Sequence, residues 1–158
     1  TRPARTLEET RGLMFELSPP ILEQEGLGDA LEWLRRQMAE LHGLEVTLER
    51  DADAPIPDED RRLLLFQIVR ELLFNVRKHA GTRRATVWLG AADGAVTIDV
   101  RDAGRGFDPR TLDRTDATGL GLVSIRERLR QIGGTLDVRS APGEGARIVV
   151  SAPRVHEG

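Results

Sequence analysis

The chain has 158 residues and no cysteine, so disulfides and thiolate metal sites are excluded and its redox compartment is left open. At 39 % hydrophobic and 31 % charged residues it reads as one soluble globular domain with a single core, and a net charge of −3 gives no global attraction to nucleic acid or to anionic membrane. No apolar run approaches the roughly 18–20 residues needed to span a bilayer, and no signal-peptide pattern is present.

In chain order, Ala4 to Leu17 reads as a short helix with Leu7, Met14 and Leu17 on one side, ended by Pro19-Pro20. Leu27, Leu31, Leu34, Met38 and Leu41 form the stripe of an amphipathic helix stopped by Gly43, with Trp33 off the stripe as rim packing. Leu44 to Leu48 alternates as a strand. An acidic, proline-containing loop from Asp51 to Asp58 then leads into a long helix, where Pro57 and Asp58 suit a helix start.

Two faces of that helix differ. Leu65, Ile68, Val69, Leu72 and Val76 make a core stripe, while Gln67, Glu71, Asn75 and Lys78 recur at spacings of 4, 4 and 3 as a polar ridge facing a cleft. Lys78 is the one lysine among arginines, and a compact ammonium suits a phosphate differently from a guanidinium.

Thr82 to Ala91 and Ala95 to Arg101 are strands joined at Asp93-Gly94, a two-residue hairpin signal, and the second delivers Asp102 to its end. A glycine-, aspartate- and threonine-rich loop follows from Ala103 to Thr118. Next come a helix over Leu120 to Ile132, capped by Gly133-Gly134, and strands over Thr135 to Ser140 and Ala146 to Ala152, joined by Pro142-Gly143-Glu144-Gly145. This order predicts an α+β fold: a two-layer α/β sandwich, its mixed, mostly antiparallel sheet covered on one face by helices.

Glu71 to His79, Asp102-Ala103-Gly104-Arg105-Gly106 and Thr118-Gly119-Leu120-Gly121-Leu122, within about fifty residues, resemble the N, G1 and G2 boxes of the GHKL ATPase/kinase superfamily. The Leu17 to Leu27 junction, Gly121 to Leu129 and Gly133-Gly134-Thr135-Leu136 are similar to sensor histidine kinases of the NarX/DesK type. The resemblance implies the Bergerat fold and a cleft for Mg·ATP. Asp102 would accept a hydrogen bond from the adenine amine, and Gly104 and Gly106 would let the backbone approach base and sugar. Gly119, Leu120, Gly121 and Leu122 would aim backbone N–H groups at the triphosphate. Asn75 would ligate Mg²⁺, Glu71 would hold a metal-bound water or act as a base, Lys78 would neutralise phosphate charge and His79 would contact nucleotide.

The chain opens at Thr1 and not at methionine, which leads to the expectation of a fragment from a longer protein. His42, His79 and His156 do not sit in the family's phosphoacceptor context, so that histidine is expected upstream. Residues 1–20 would be the remnant of a second dimerisation helix and linker, 21–154 the ATP-binding catalytic domain and 155–158 a tail. The expected partners are its own dimerisation domain and, through that, a response regulator, with no nucleic acid. The fragment would be a cytoplasmic monomer, and its parent a homodimer with a possible inner-membrane anchor. Ala146 stands where relatives carry threonine. Alternatives are an anti-sigma-type serine kinase, or a nucleotide-binding module without kinase activity.

Overall fold

A computed structural model describes residues 26–51, 56–110 and 121–155. The expected first helix over Ala4 to Leu17, the later part of the glycine-rich loop together with Gly119 and Leu120, and His156 lie outside the described residues. The described elements are α1 (Leu27–His42), β1 (Glu45–Arg50), α2 (Glu59–Asn75), a π-helical turn (Val76–Ala80), β2 (Arg84–Ala92), β3 (Ala95–Asp102), α3 (Leu122–Arg130), β4 (Thr135–Ser140) and β5 (Ala146–Pro153).

The sheet runs β1-β2-β3-β5-β4, with β1 parallel to β2 and every other pair antiparallel. This is the α+β, mostly antiparallel arrangement expected. Alternation sets its faces: Val96, Ile98 and Val100 of β3 and Ile148, Val150 and Ala152 of β5 are buried toward the helices. Against them α2 lays Leu65, Ile68, Val69 and Leu72, and the π turn adds Val76, none more than 5 % exposed. The helix-forming period thus buries one complete stripe, worth roughly 1.5–3 kcal/mol per large aliphatic side chain.

Local signals explain the element ends. Asp58 caps α2 by accepting from the Asp60 and Arg61 N–H groups at 3.0 and 3.4 Å. At the β2–β3 hairpin both Asp93 and Gly94 have positive φ, 55° and 77°, which a two-residue turn matched to strand twist requires. β1 ends at Arg50 and not at Leu48, because its ladder with β2 continues to the pair Arg50↔Leu89. α3 is shorter than expected, since the chain turns after Arg130 and the Gly134 N–H bonds back to Leu129 O at 2.8 Å.

One stripe position is corrected. Leu41 is 60 % exposed, while Leu44 is fully buried. The left-handed turn at Gly43, with φ 66°, brings Leu44 under the helix, its N–H on Met38 O at 3.0 Å, so Leu44 fills the core instead. Trp33 packs at the margin as expected, 6.2 Å from the Phe66 ring centroid.

Candidate functional site

A cavity of about 380 Å³ opens between the end of α2, the π turn and the ends of β3 and β5. Leu72, Val76, Ala80, Val100 and Ile148 line it with apolar surface, and Asn75, His79, Asp102, Arg105 and Asp108 bring polar groups to it. An apolar pocket of this size with a few convergent polar groups is the usual form of a small-molecule site.

Asp102 ends β3 beside this cavity. Its Oδ1 accepts from the Gly104 N–H at 2.8 Å, and Oδ2 has no partner among the described residues. Burial pushes its carboxyl above the ordinary aspartate range, against the opposing Gly104 hydrogen bond. An acceptor with one open oxygen on an apolar wall is suited to a single N–H donor from a planar ligand.

The glycines after Asp102 have a reason within the fold. A Cβ on Gly104 would overlap the Ala80 carbonyl, and one on Gly106, where φ is 65°, would overlap the Ala141 carbonyl. The Arg105 N–H donates to Ala80 O at 2.7 Å and the Gly143 N–H to Arg105 O at 2.6 Å. The turn is therefore seated between the π turn and the β4–β5 connection. Gly106 also lines the cavity, whereas Gly104 supports its wall from behind.

The π turn decides which polar residues reach the cavity. Its i→i+5 pattern advances each residue by less than the roughly 100° of an α-helix. His79 and Asn75 consequently share the cavity lining. Lys78 lies elsewhere, its Nζ 5.8 Å from the Phe74 ring centroid in a groove with Leu41, His42 and Arg77. An unbroken α-helical phase, as read from the sequence, puts Lys78 on the Asn75 ridge; the widened turn carries it off.

At the other end of the ridge, Glu71 Oε2 accepts from Arg128 Nη2 at 2.6 Å. Glu71 Oε1 lies 3.0 Å from where a Cβ on Gly121 would stand. Gly121, with φ 68°, is the N-cap of α3, so this carboxylate spans from the start of that helix to its last turn. The sequence reading placed Gly121 correctly before a helix but missed Arg128. The signal was its position seven residues after Gly121, two helical turns along the same side. Leu122 is only 1 % exposed and packs in the core, so any ligand contact from it is through backbone N–H.

Ala146 faces Asp102 directly in the β3–β5 register and lines the cavity. Ser140, its partner on β4, does not supply a substitute hydroxyl. Its Oγ donates to Gly145 O at 2.7 Å and accepts from the Phe107 N–H at 2.9 Å.

Residues 60–156 match the family described as histidine kinase-, DNA gyrase B- and HSP90-like ATPase. The chain is similar to the sensor histidine kinase NarS of Mycobacterium tuberculosis, 37 % identical over 147 residues, covering 92 % of this chain and 34 % of the relative. It is also similar to the sensor histidine kinase LiaS of Bacillus subtilis, 34 % identical over 146 residues, covering 92 % and 39 %. The chain thus spans little more than a third of these relatives. Among solved structures, the Erythrobacter litoralis EL346 blue-light activated histidine kinase superposes with a TM-score of 0.71 at 19 % identity, over 92 % of this chain and 49 % of that one. Full-length ShkA in complex with AMPPNP does so with a TM-score of 0.64 at 26 % identity, over 80 % and 29 %.

Proposed function

Since this chain belongs to the histidine kinase-, DNA gyrase B- and HSP90-like ATPase family, we propose that it is the catalytic domain of a sensor histidine kinase, presenting ATP so that its γ-phosphoryl reaches a histidine on a dimerisation domain. The observation that carries this reading is the apolar cavity walled by half-buried Asp102, with Asn75 and His79 on its rim. Adenine fills the cavity, its exocyclic amine donating to Asp102, and guanine is disfavoured because its carbonyl oxygen would face the carboxylate.

The phosphates extend from the rim toward Gly121, where the N-terminal end of α3 favours negative charge. No group of three or more His, Asp or Glu that would hold a metal by itself occurs among the described residues. A cation at this site would rely mainly on phosphate and water oxygens, the habit of Mg²⁺, and the Asn75 amide oxygen and the Glu71 carboxylate are the side chains that would hold it. The chemistry such an ion would supply is charge neutralisation on the transferring phosphoryl group. Asn75 orients, Asp102 selects the base, and Lys78 adds positive charge after leaving Phe74. Onward transfer goes to a response-regulator aspartate. Among the described residues no helix is long and apolar enough to cross a membrane.

The test is calorimetric titration of ATP with and without Mg²⁺, with GTP and Asp102→Asn as controls. Saturable, adenine-selective binding weakened roughly 10- to 100-fold in Asp102→Asn is expected, the size of one lost charge-assisted hydrogen bond. Equal binding of ATP and GTP, or an unaffected Asp102→Asn, would overturn the assignment.

A further inference from the structure

A nucleotide lying in this cavity has two ends that the fold keeps apart. Glu71 and Gly121 meet at one of them, since Glu71 Oε1 stands 3.0 Å from where a Cβ on Gly121 would be. Gly104 and Arg105 meet the π turn at the other, through the Ala80 carbonyl. Between Glu71 and Gly81 run the end of α2 and the π turn, on the order of 15 Å at about 1.5 Å per residue. With the phosphates toward Gly121, the base lies at the Ala80 end, where Asp102 binds its edge.

Arg105 is the cation at that end. It lines the cavity while staying exposed, which puts it at the mouth. Its backbone is fixed on both sides: the N–H donates to Ala80 O at 2.7 Å, and the carbonyl accepts from the Gly143 N–H at 2.6 Å. The guanidinium rests against Gly81, which closes the π turn with φ 72°. A Cβ there would lie 3.1 Å from Nη2 and 3.3 Å from Nε, with Cζ behind them at 3.6 Å. The two-nitrogen edge that would grip a phosphate is therefore turned to the backbone, and the flat faces of the group are left to a ligand. Asp108, also at the cavity, is engaged by Arg110 at 2.7 Å, whereas the Arg105 guanidinium has no hydrogen bond or ion pair among the described residues.

We propose that Arg105 is a specificity-determining residue of the nucleotide site, laying its guanidinium plane on the outer face of the base while the apolar walls Val100 and Ile148 take the inner face. The inference rests on the nucleotide reading above. Such a contact recognises a wide aromatic ring and is indifferent to how many phosphates follow it. It complements Asp102, which reads a single position on the edge of the base. The carboxylate chooses adenine over guanine, and the guanidinium sets how tightly the ring is held.

The experiment measures affinity for ATP, ADP and AMP without Mg²⁺, by calorimetry and, for AMP, by displacement of ADP. It compares the wild-type chain with Arg105→Ala, Arg105→Lys and Arg105→Phe. Arg105→Ala is expected to weaken all three nucleotides by the same factor, roughly 3- to 30-fold, the range of a guanidinium–ring contact. Arg105→Phe, which keeps a plane without the charge, retains most of the affinity, and Arg105→Lys, which keeps the charge without the plane, loses about as much as Arg105→Ala. Thermal midpoints stay within about 2 °C of wild type, because the bonds that seat residue 105 are made by its backbone. Should Arg105→Ala fail to fold, the comparison of Arg105→Lys with Arg105→Phe is judged by the same criterion. A loss that grows from AMP to ATP, or rescue by lysine and not by phenylalanine, would mean a phosphate contact and overturn the inference, as would unchanged affinity in Arg105→Ala. Absence of ATP binding by the wild-type chain would instead overturn the nucleotide reading, and this inference with it.

Discussion

Asp99 offers the sharpest test of how the helix-free face of the sheet is held. It is 5 % exposed on the side of β3 away from the helices, and three hydrogen bonds converge on it. Arg101 donates from Nε to Oδ1 at 3.1 Å and from Nη2 to Oδ2 at 3.0 Å, and Arg147 donates from Nε to Oδ2 at 3.0 Å. The two arginines face each other across β3 and β5, a like-charge pair that costs stability unless something neutralises it. The arginine side chains are 56 % and 39 % exposed, so each bond is taken near the exposed ion-pair range of about 0.5–1 kcal/mol and not at the desolvated value. Adding roughly 0.2–1 kcal/mol of arginine repulsion gives about 2–4 kcal/mol for Asp99→Asn. For a domain of this size that lowers Tm by about 4–16 °C. Thermal and urea unfolding would measure it, with the midpoint shifting and the m-value unchanged. Burial alone would raise the Asp99 carboxyl, but the bonds from Arg101 and Arg147 outweigh it and hold the group below the ordinary 3.8. A depressed acid stabilises above its unfolded value and loses that contribution as pH falls through the folded one. The gap between wild type and Asp99→Asn should therefore close on acidification below 3.8. A Tm within about 1 °C of wild type at neutral pH, well under the estimate above, would refute the clamp.

Ala146→Thr should tighten ATP binding about two- to tenfold, by adding a hydroxyl directly opposite Asp102; unchanged calorimetric affinity would mean that this hydroxyl finds no partner. Lys78→Met should weaken ATP roughly fivefold and ADP less than twofold, because phosphate attraction is partly offset by about 0.5–1 kcal/mol of lost contact with Phe74, and equal ATP affinity would leave Lys78 a groove residue. Arg61→Met should cost about 3 kcal/mol, since this 4 % exposed side chain donates to Ile132 O at 2.8 Å and Pro153 O at 3.1 Å, and a Tm drop under about 2 °C would contradict that.

Where residues act through local period or turn chemistry, the sequence was legible. The α2 stripe, the Asp93-Gly94 hairpin and the β4 and β5 strands follow from alternation, spacing and the φ values glycine and aspartate tolerate. Asp102 at a strand end was legible for the same reason. Three features were not: one turns on the local geometry of a helix end, and two depend on a partner distant in sequence. Leu41 fits the α1 stripe, but Leu44 returns to displace it. Gly104 looks like a ligand-facing glycine, but a Cβ there would strike the Ala80 carbonyl and it does not line the cavity, whereas Gly106 lines the cavity and also packs against the Ala141 carbonyl. Glu71 looks like an open ridge carboxylate until Arg128, 57 positions later, closes on it.

The π turn joins two motifs that a sequence reading treats separately. In an α-helical continuation, Lys78 would stay nearer the Asn75 ridge. In the widened turn His79 comes to the cavity, and the Ala80 carbonyl instead meets the Arg105 N–H at 2.7 Å with Gly104 tucked beneath it. That one carbonyl fixes where the helix ends and where the turn after Asp102 begins. The polar groups from α2 and the carboxylate from β3 therefore keep their separation across the cavity because both are referenced to the same atom. A bulkier residue at Gly104 would push on Ala80, turn His79 and shift Asp102 together, so its effect on base selectivity and on the Asn75 side should appear as one defect and not as two.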